Sequence, residues 1–265
     1  MPEGDTIFRA AMSLRKVLQG QIIQQASGHF ELKNLESIVG CKVLGIESRG
    51  KHLIVHFSDQ RALHSHLGMT GSWHIYRKQD VWQKPKIQAT AILQTADWVV
   101  VCFSPTTIRL LTERQLLRDP YLQKLGPDLL GPPITDDVFL KRIRSQNEVA
   151  IGEAMMNQTV VAGIGNVYKS EILFLQQIHP LIKVGELNDR QLLDVRDLAV
   201  KFMKLNLTNG SRQTRFRSDS QKLWVYGRKG DACLKCSEAI LMLRQGDLAR
   251  STYFCPACQA GTLHS

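Results

Sequence analysis

Four cysteines near the C-terminus constrain the possible folds of this chain more than any other feature. They occur as two Cys-x-x-Cys pairs, CLKC and CPAC, whose members are Cys233, Cys236, Cys255 and Cys258. Four thiolates in this spacing are typical of a closed, tetrahedral structural zinc site. A redox-active dithiol would require only one of the two pairs. The sequence therefore predicts a C-terminal zinc-finger hairpin that holds one structural Zn²⁺ per chain.

The segment that leads into the first cysteine pair is strongly basic. Residues 201–231 contain eight Lys or Arg and two acidic side chains, and the 265-residue chain has a formal net charge of +10. A charge run is often only a solvated face, but here aromatic residues lie among the basic ones. Lys and Arg bind polyanions by displacing counterions from phosphates. We therefore expect nucleic-acid contacts from Arg228 and Lys229, and from Arg250 at the tip of the zinc hairpin.

A second candidate contact is the segment VAGIGNVYKSEIL, residues 161–173. Gly163 and Gly165 allow a tight turn, and Asn166 is placed to cap the helix that follows. The N-terminus of such a helix offers backbone N–H groups to a phosphate. An ordinary turn between two helices explains the same residues equally well. The sequence thus makes Asn166 and Lys169 candidate phosphate-binding residues.

The pattern of apolar residues divides the chain into parts. An amphipathic helix is predicted at about 5–18, and short strand-like runs such as KHLIVHF and WVVVCF follow it, which favours a β-sandwich or barrel. Helical periodicity dominates from residue 138, and the tail from about residue 213 is again strand-like. The fold class is therefore multidomain α and β. The expected parts are a domain at 1–125, a Gly- and Pro-rich linker at 126–137, a helical domain at 138–222 and a zinc-finger domain at 223–265.

The chain starts with MPEGD, which places a proline and a glutamate at positions 2 and 3. Removal of the initiator methionine would leave Pro2 with a free secondary amine beside the carboxylate of Glu3. A run of about 18 apolar residues is absent, and so are the basic and apolar regions of a signal peptide. We therefore expect a cytoplasmic protein with no membrane partner.

Seven motifs, spread over almost the whole chain, occur in the order that one known family shows. They are MPEG, SRGKHLIVHF, HSHLGMTGSW, LGPD, VAGIGNVYKSEILF, VYGRKGDAC and CPAC. The chain resembles the formamidopyrimidine-DNA glycosylase and endonuclease VIII family of base-excision repair enzymes. This resemblance implies an N-terminal β-sandwich, a helix-two-turn-helix domain and a zinc finger, with damaged DNA in the cleft between domains. It also implies a monomer of bacterial type that associates with the nucleoid.

The resemblance implies a chemical role for three residues. Pro2 would attack C1′ of the damaged nucleotide, displace the base and form an iminium, which is a Schiff-base intermediate. An α-amino group with an unperturbed pKa of about 7.7–8.0 is already partly neutral near pH 7. Glu3 would act as general acid and base, and Lys51 of SRGK would approach the phosphate and the sugar ring oxygen. The alternative for Lys51 is a surface lysine at a strand end.

The sequence combines features of both branches of this family. MPEG and the stretch SPTTIRLLTERQLLRDPYLQKLGPD resemble the endonuclease VIII branch, which favours oxidised pyrimidines, whereas HLGMTGSW and VYGRKG resemble the formamidopyrimidine branch. Among the side chains that would fill the gap left by a flipped base, only Met69 remains, because residues 104–108 read SPTTI. The alternative for Met69 is packing in the core. We place the chain closer to the endonuclease VIII branch.

Two positions depart from the pattern of the family. Thr6 stands where both branches commonly have a second glutamate, and Asp5 is the nearest replacement. Gly152 stands where the family often has a lysine that contacts phosphate, which speaks against 8-oxoguanine as the main substrate. These departures leave the preferred lesion open and put the efficiency of base excision in doubt.

The sequence as a whole predicts a bifunctional DNA glycosylase and AP lyase that forms a Schiff base through Pro2 and nicks the strand by β,δ-elimination. Alternatives are an enzyme that is mainly an AP lyase, and a glycosylase that prefers 8-oxoguanine or formamidopyrimidines. Two further alternatives are a non-catalytic damage-binding protein that keeps Met1, and a zinc-ribbon accessory factor.

Overall fold

The computed structural model describes residues 2–29, 32, 34–208, 210–217 and 220–260. The chain divides into two units, Met1–Lys124 and Leu125–Ser265. Across the described ranges, no helix combines the length and the apolar character that crossing a membrane requires.

The first unit begins with the amphipathic helix α1, Gly4–Leu18. Its apolar residues recur at the spacing of one helical face, and that face is buried. The buried residues of this face include Ile7, Ala11, Leu14 and Leu18. Asp5 lies in the first turn and basic residues lie in the last turn, and both placements are favourable in the field of the helix dipole. The predicted helix is confirmed.

Eight strands form two four-stranded antiparallel sheets in the first unit. In chain order they are β1 Gln25–Gly28, β2 Val43–Arg49, β3 His52–Phe57, β4 Arg61–His66, β5 Ser72–Arg77, β6 Ala89–Gln94, β7 Trp98–Phe103 and β8 Thr107–Thr112. One sheet has the order β1-β6-β7-β5 and the other has the order β2-β3-β4-β8. A single core contains buried residues from both sheets and from α1. The predicted β-sandwich is confirmed.

The sheet that contains β3 and β4 has two different faces. Successive side chains of a strand point to opposite faces, so that Leu53 and Val55 enter the core while His52 and Ile54 lie on the other side. The short helix α2, Glu113–Leu117, follows β8 directly and packs against this sheet, and α3, Pro120–Lys124, comes next. The outer face of the sheet therefore carries polar side chains, and α2 covers part of this face.

Helices dominate the second unit. They are α4 Asp136–Arg144, α5 Ile151–Ala154, α6 Asn166–Leu175 and α7 Asp189–Leu205. The helix α7 starts with a capping box, in which the side chains of Asn188 and Gln191 bond each other's backbone N–H groups. One apolar core joins these four helices, and nearly every residue of α6 is buried.

The stretch predicted as a linker packs against the second unit. Gly126 N–H donates to Gln158 O over 2.8 Å, and Ala162 N–H donates to Pro127 O over 2.9 Å. Leu129 is 3% exposed and belongs to the helical core. Residues 126–129 therefore form part of the unit that starts at Leu125.

The second unit ends in a β-hairpin. The strands β9, Leu241–Gln245, and β10, Arg250–Phe254, pair antiparallel. Tyr253 N–H donates to Ser170 Oγ over 3.1 Å, which ties β10 to α6. The prediction of strands from about residue 213 is wrong, because the first strand of this unit begins at Leu241 within the described residues.

Candidate functional site

Pro2 and Glu3 lie at the entrance of α1. Glu3 is the last residue before the helix and has an extended backbone, and its carbonyl accepts from Thr6 N–H at 2.9 Å and from Ile7 N–H at 3.1 Å. The Glu3 side chain is 0% exposed, whereas Pro2 is partly exposed. The positive end of the helix dipole favours a carboxylate here. Met1, whose removal would free the Pro2 amine, lies outside the described residues.

A second carboxylate lies in the first turn of the same helix. Asp5 is 0% exposed, and Thr6 Oγ1 donates to Asp5 Oδ1 over 3.3 Å. Two buried carboxylates, Glu3 and Asp5, therefore lie within three residues of each other. Thr6 contributes a hydroxyl that holds Asp5 rather than a charge of its own.

Lys51 lies in the tight turn between β2 and β3. Arg49 pairs with His52 across the two strands, so that Gly50 and Lys51 form the connection. Gly50 has φ +58°, a left-handed conformation that a side chain disfavours. Lys51 is partly buried, and its charge, added to the effect of burial, lowers the pKa of His66. The hairpin thus holds a lysine beside a histidine of β4.

Met69 projects from the loop between β4 and β5. It is 75% exposed, so the alternative that it packs in the core is wrong. A Cβ atom at Gly68 would lie 1.8 Å from Thr106 Oγ1, and one at Gly71 would lie 2.9 Å from the Cα of Pro105. These glycines let the Met69 loop pack against the loop that connects β7 and β8.

The GIGN turn leads into α6. Gly163 has φ +114°, and its N–H donates to the side chain of Gln158 over 3.0 Å. Gly165 is the capping residue of α6, so the prediction of Asn166 in that place is wrong. Gly165 takes the extended conformation that precedes a helix, and Asn166 is already the first helical residue. Asn166 is 9% exposed, and no described residue bonds its buried Oδ1.

A cavity of about 430 Å³ lies between α5, α6 and the turn of the β-hairpin. Lys169 and Arg250 both line it, together with the acidic side chains of Glu153 and Asp247. Lys169 is 0% exposed, and Arg250 is partly exposed at the first position of β10. The structure thus brings together two of the predicted phosphate-binding residues.

Gly152 lines the same cavity and explains one departure from the family pattern. A Cβ atom there would lie 2.4 Å from Gln245 Oε1. Gln245 is buried, donates to Pro180 O over 3.0 Å and accepts from Thr252 Oγ1 over 2.6 Å. Gln245 occupies the space that a longer side chain at position 152 would need.

Arg228 and Lys229 have different surroundings. The Arg228 guanidinium donates to Trp224 O over 2.7 Å and to Ala232 O over 2.8 Å, and it pairs with Asp231. Arg228 therefore holds its own loop together. Lys229 is exposed.

The four predicted metal ligands converge. The Sγ atoms of Cys233, Cys236, Cys255 and Cys258 all lie within 4.8 Å of one another. Two of these distances are 3.9 Å, from Cys233 to Cys258, and 3.4 Å, from Cys236 to Cys255. A tetrahedral zinc ion with Zn–S bonds of about 2.3 Å requires S···S distances of about 3.8 Å. The cluster can therefore hold a metal ion.

Glu171 is a buried carboxylate that the sequence analysis did not single out. It accepts hydrogen bonds from the backbone N–H groups of Trp224, Val225 and Tyr226, each over 2.8 Å, and from Thr214 Oγ1. Burial raises its pKa, while these hydrogen bonds oppose the increase. Glu171 thus joins α6 to the loop that precedes the metal cluster. Its sequence signal is an acidic residue directly before the apolar run ILFL of α6.

Comparisons with known proteins agree with this architecture. The formamidopyrimidine-DNA glycosylase N-terminal domain matches residues 1–113, and the H2TH domain of the same glycosylase matches residues 125–218. The chain is 37% identical over 264 residues to the probable endonuclease 8 2 of Streptomyces coelicolor, covering 98% of this chain and 95% of that protein. It is 33% identical over 263 residues to the DNA-(apurinic or apyrimidinic site) lyase Nei2 of Mycolicibacterium smegmatis, covering 99% and 100%.

A solved structure shows the same fold. The formamidopyrimidine-DNA glycosylase of Lactococcus lactis, bound to DNA that contains an abasic site, superposes with a TM-score of 0.82 at 25% identity, covering 98% of this chain and 100% of that one. The sandwich, the H2TH helices and the four-cysteine hairpin together identify the fold as that of a formamidopyrimidine-type DNA glycosylase. The chain belongs to the formamidopyrimidine-DNA glycosylase and endonuclease 8 family of enzymes.

Proposed function

We propose that this chain is a bifunctional DNA glycosylase and AP lyase of base-excision repair that acts on damaged DNA. The observation that carries the proposal is the buried carboxylate of Glu3 directly beside Pro2 at the start of α1. A carboxylate in a dry, fixed position suits proton transfer to a neighbouring group. The names of the relatives and the family match support the same class of reaction.

The chemistry that we propose starts at the nitrogen of Pro2 after Met1 has been removed. This nitrogen attacks C1′, the bond from C1′ to the base breaks, and the base leaves with a proton. Glu3 protonates the ring oxygen, so that the sugar opens and an iminium forms between Pro2 and C1′. Loss of a C2′ proton then expels the 3′ phosphate, and a second elimination expels the 5′ phosphate.

The remaining candidate residues would hold DNA. Lys51 would approach the phosphate and the ring oxygen from the β2–β3 turn. Asn166, Lys169 and Arg250 would contact backbone phosphates, which position the duplex without reading its sequence. Lys229 is exposed for such a contact, whereas Arg228 would act through its loop.

We assign one structural Zn²⁺ to the cluster of Cys233, Cys236, Cys255 and Cys258. The four thiolates form a closed set with no position left for a substrate. These residues would stabilise the hairpin that carries Arg250. The sulfur geometry given above supports this assignment.

Oxidised pyrimidines are the lesions that we propose as preferred substrates. Met69 is exposed and available to fill the gap that a flipped base leaves, as an apolar side chain can. The adjacent loop brings Pro105 and Thr106 close to the glycines on either side of Met69. The stretch that contains this loop, SPTTIRLLTERQLLRDPYLQKLGPD, resembles the endonuclease 8 branch.

A second candidate function is AP lyase activity with weak base excision. Thr6 favours it, because a hydroxyl bonded to Asp5 replaces the second glutamate of the family. An abasic site needs no excision step, so the lyase reaction would survive this replacement.

Trapping with borohydride tests the proposed function. Reduction during reaction with an abasic-site duplex should link the protein to DNA, and Pro2→Gly should lose most of this product while Pro85→Gly, an exposed control, keeps it. Equal trapping by Pro2→Gly would exclude Pro2 as the nucleophile, and no trapping by any variant would favour a binding protein. A parallel reaction on an oxidised-pyrimidine duplex separates a glycosylase from a pure lyase.

A further inference from the structure

Three neighbouring strands place a row of polar side chains on the outer face of the sandwich. His52 of β3 lies directly opposite His66 of β4, and His64 of β4 lies directly opposite Arg109 of β8. Residues two apart on one strand share a face, so all four side chains lie on the same side of the sheet.

A series of hydrogen bonds connects Asp119, Arg109, His64 and His52. Asp119 Oδ1 accepts from the backbone N–H groups of Tyr121 at 3.0 Å and Leu122 at 3.1 Å, and its Oδ2 accepts from Arg109 Nη2 at 2.5 Å. The same Nη2 lies 3.1 Å from His64 Nδ1. His64 Nε2 lies 2.8 Å from His52 Nδ1.

The chemistry of arginine fixes the direction of every bond in this series. A guanidinium can donate but cannot accept, so His64 Nδ1 must accept from Arg109. The proton of a neutral His64 is then on Nε2, which donates to His52 Nδ1. A neutral His52 must therefore carry its own proton on Nε2. One arginine thus sets the tautomer of two histidines.

Burial and neighbouring charges keep both rings neutral. Burial, together with the neighbouring His64 and His66, lowers the pKa of His52 to about 3. Burial and the Arg109 charge lower the pKa of His64 to about 4. Arg49 also disfavours a proton on His64, whereas Asp119 favours one on either ring. The hydrogen bonds from Leu122 and Arg109 outweigh burial and lower the pKa of Asp119, which keeps this anchor ionised.

The series ends at His52, which directly follows Lys51 on the β2–β3 hairpin. The His52 ring packs on the His66 ring with 4.9 Å between centroids, and the Lys51 charge acts on His66. His52 is partly exposed, and within the described part of the chain its Nε2 forms no hydrogen bond. A ring N–H and an ammonium group on one hairpin are two donors of the kind that an anion requires.

We propose that Asp119, Arg109 and His64 act as positioning residues that hold His52 as an Nε2–H donor, and that His52 and Lys51 together bind a phosphate of the DNA backbone. The identity of the ligand rests on the proposed function. The fixed tautomers do not, because they follow from hydrogen bonds within one unit.

We call the hydrogen-bonded series Asp119, Arg109, His64 and His52 the relay. Nitrogen-15 spectra of the histidine rings test the relay directly on the full, zinc-loaded chain. At pH 7 both His52 and His64 should show a protonated Nε2 and an unprotonated Nδ1. Arg109→Met should abolish this pattern at His64, and Arg109→Lys should keep it, because lysine also only donates. The matched control is Arg61→Met, since Arg61 of β4 bonds Asp59 and Ser37 instead of either histidine ring. A proton on Nδ1 of His64, or a charged ring at pH 7, overturns the relay, and the parent protein alone decides this if Arg109→Met does not fold.

Ligand titration tests the second half of the proposal. A duplex with an abasic-site analogue should shift the His52 Nε2–H resonance of the parent, and inorganic phosphate should shift the same resonance at higher concentration. His52→Ala should weaken duplex binding roughly tenfold, which is the effect expected for loss of one hydrogen bond to a charged group. His52→Gln keeps a hydrogen-bond donor and should therefore bind the duplex more tightly than His52→Ala. No shift with either ligand, or equal binding by His52→Ala, rejects the phosphate role. Borohydride trapping through Pro2 is measured in a separate assay. Loss of trapping with an unchanged His52 response would reject the enzyme assignment but not the phosphate role of His52.

Discussion

The N-terminal turn of the first unit and the cavity of the second unit use charge in opposite ways. At the turn, Glu3 and Asp5 are fully buried and lie within three residues of each other. Around the cavity, Lys169 and Arg250 come from distant parts of the sequence and share an open space of about 430 Å³ with acidic neighbours. The first arrangement suits proton transfer and the second suits the binding of a large anion.

The comparison shows why chemistry and binding should be separable by mutation. Proton transfer needs one fixed, dry group, and its removal stops a step. Phosphate binding is a sum over several cations, so the loss of one reduces affinity without altering the reaction. Mutations in the first unit should therefore slow the reaction, and mutations of cations in the second unit should weaken binding.

The largest effect is expected for Glu3→Gln. Glutamine keeps the shape of glutamate but carries an amide NH2 in place of one carboxylate oxygen and supplies no proton to the sugar, so base excision should fall about 100-fold or more. Single-turnover assays on an oxidised-pyrimidine duplex measure this. Duplex affinity should be unchanged, and the exposed Glu36→Gln should behave as the parent. Undiminished excision would remove Glu3 from the mechanism.

Loss of the proposed zinc ion should have the next largest effect. Metal ligation supplies folding energy to small sites of this kind, and few apolar residues support this one. Cys236→Ser should therefore disorder the hairpin. Duplex binding should weaken by about tenfold or more, because several basic side chains would then no longer be held in position to contact phosphates. Fluorescence anisotropy measures the affinity and atomic absorption measures the bound zinc.

The matched control is Cys41→Ser, which lies in the first unit outside the metal cluster. It should keep both the affinity and the zinc content of the parent. Full affinity in Cys236→Ser would show that the hairpin does not hold DNA.

The parts that the sequence predicts are those whose signal is local. The period of α1, the apolar run of β3 and the spacing of the four cysteines each lie within a short window, and the structure contains the predicted helix, strand and cysteine cluster. The cap of α6 was misplaced by one residue, since Gly165 and Asn166 are both acceptable there. The relay through His52, His64 and Arg109 depends on strand register and on the loop at Asp119, which no local pattern encodes.

A smaller effect is expected for Arg250→Ala. Loss of one phosphate contact should weaken binding about equally for all lesions and reduce the slope of log affinity against log salt by about one. Lys201→Ala, an exposed residue of α7 in the same unit, is the matched loss of charge and should leave the slope unchanged. A changed lesion preference with an unchanged slope would place Arg250 at a base instead of the backbone.

The smallest effect concerns the pH dependence of stability. The folded-state pKa values of His52 and His64, about 3 and about 4, lie below the unfolded value of about 6.5. Between these values the unfolded chain binds more protons than the folded chain, so the free energy of unfolding decreases as the pH falls from about 6.5 towards 4. Urea midpoints of the parent at pH 7.5 and pH 5 should show this decrease. The double variant His52→Gln/His64→Gln should show a smaller decrease in the urea midpoint, because glutamine does not titrate. The control His179→Gln in the second unit should reduce this decrease by less, since it removes only one titrating ring. An equal decrease in the parent and the double variant would mean that both rings titrate normally in the folded protein, which the relay forbids.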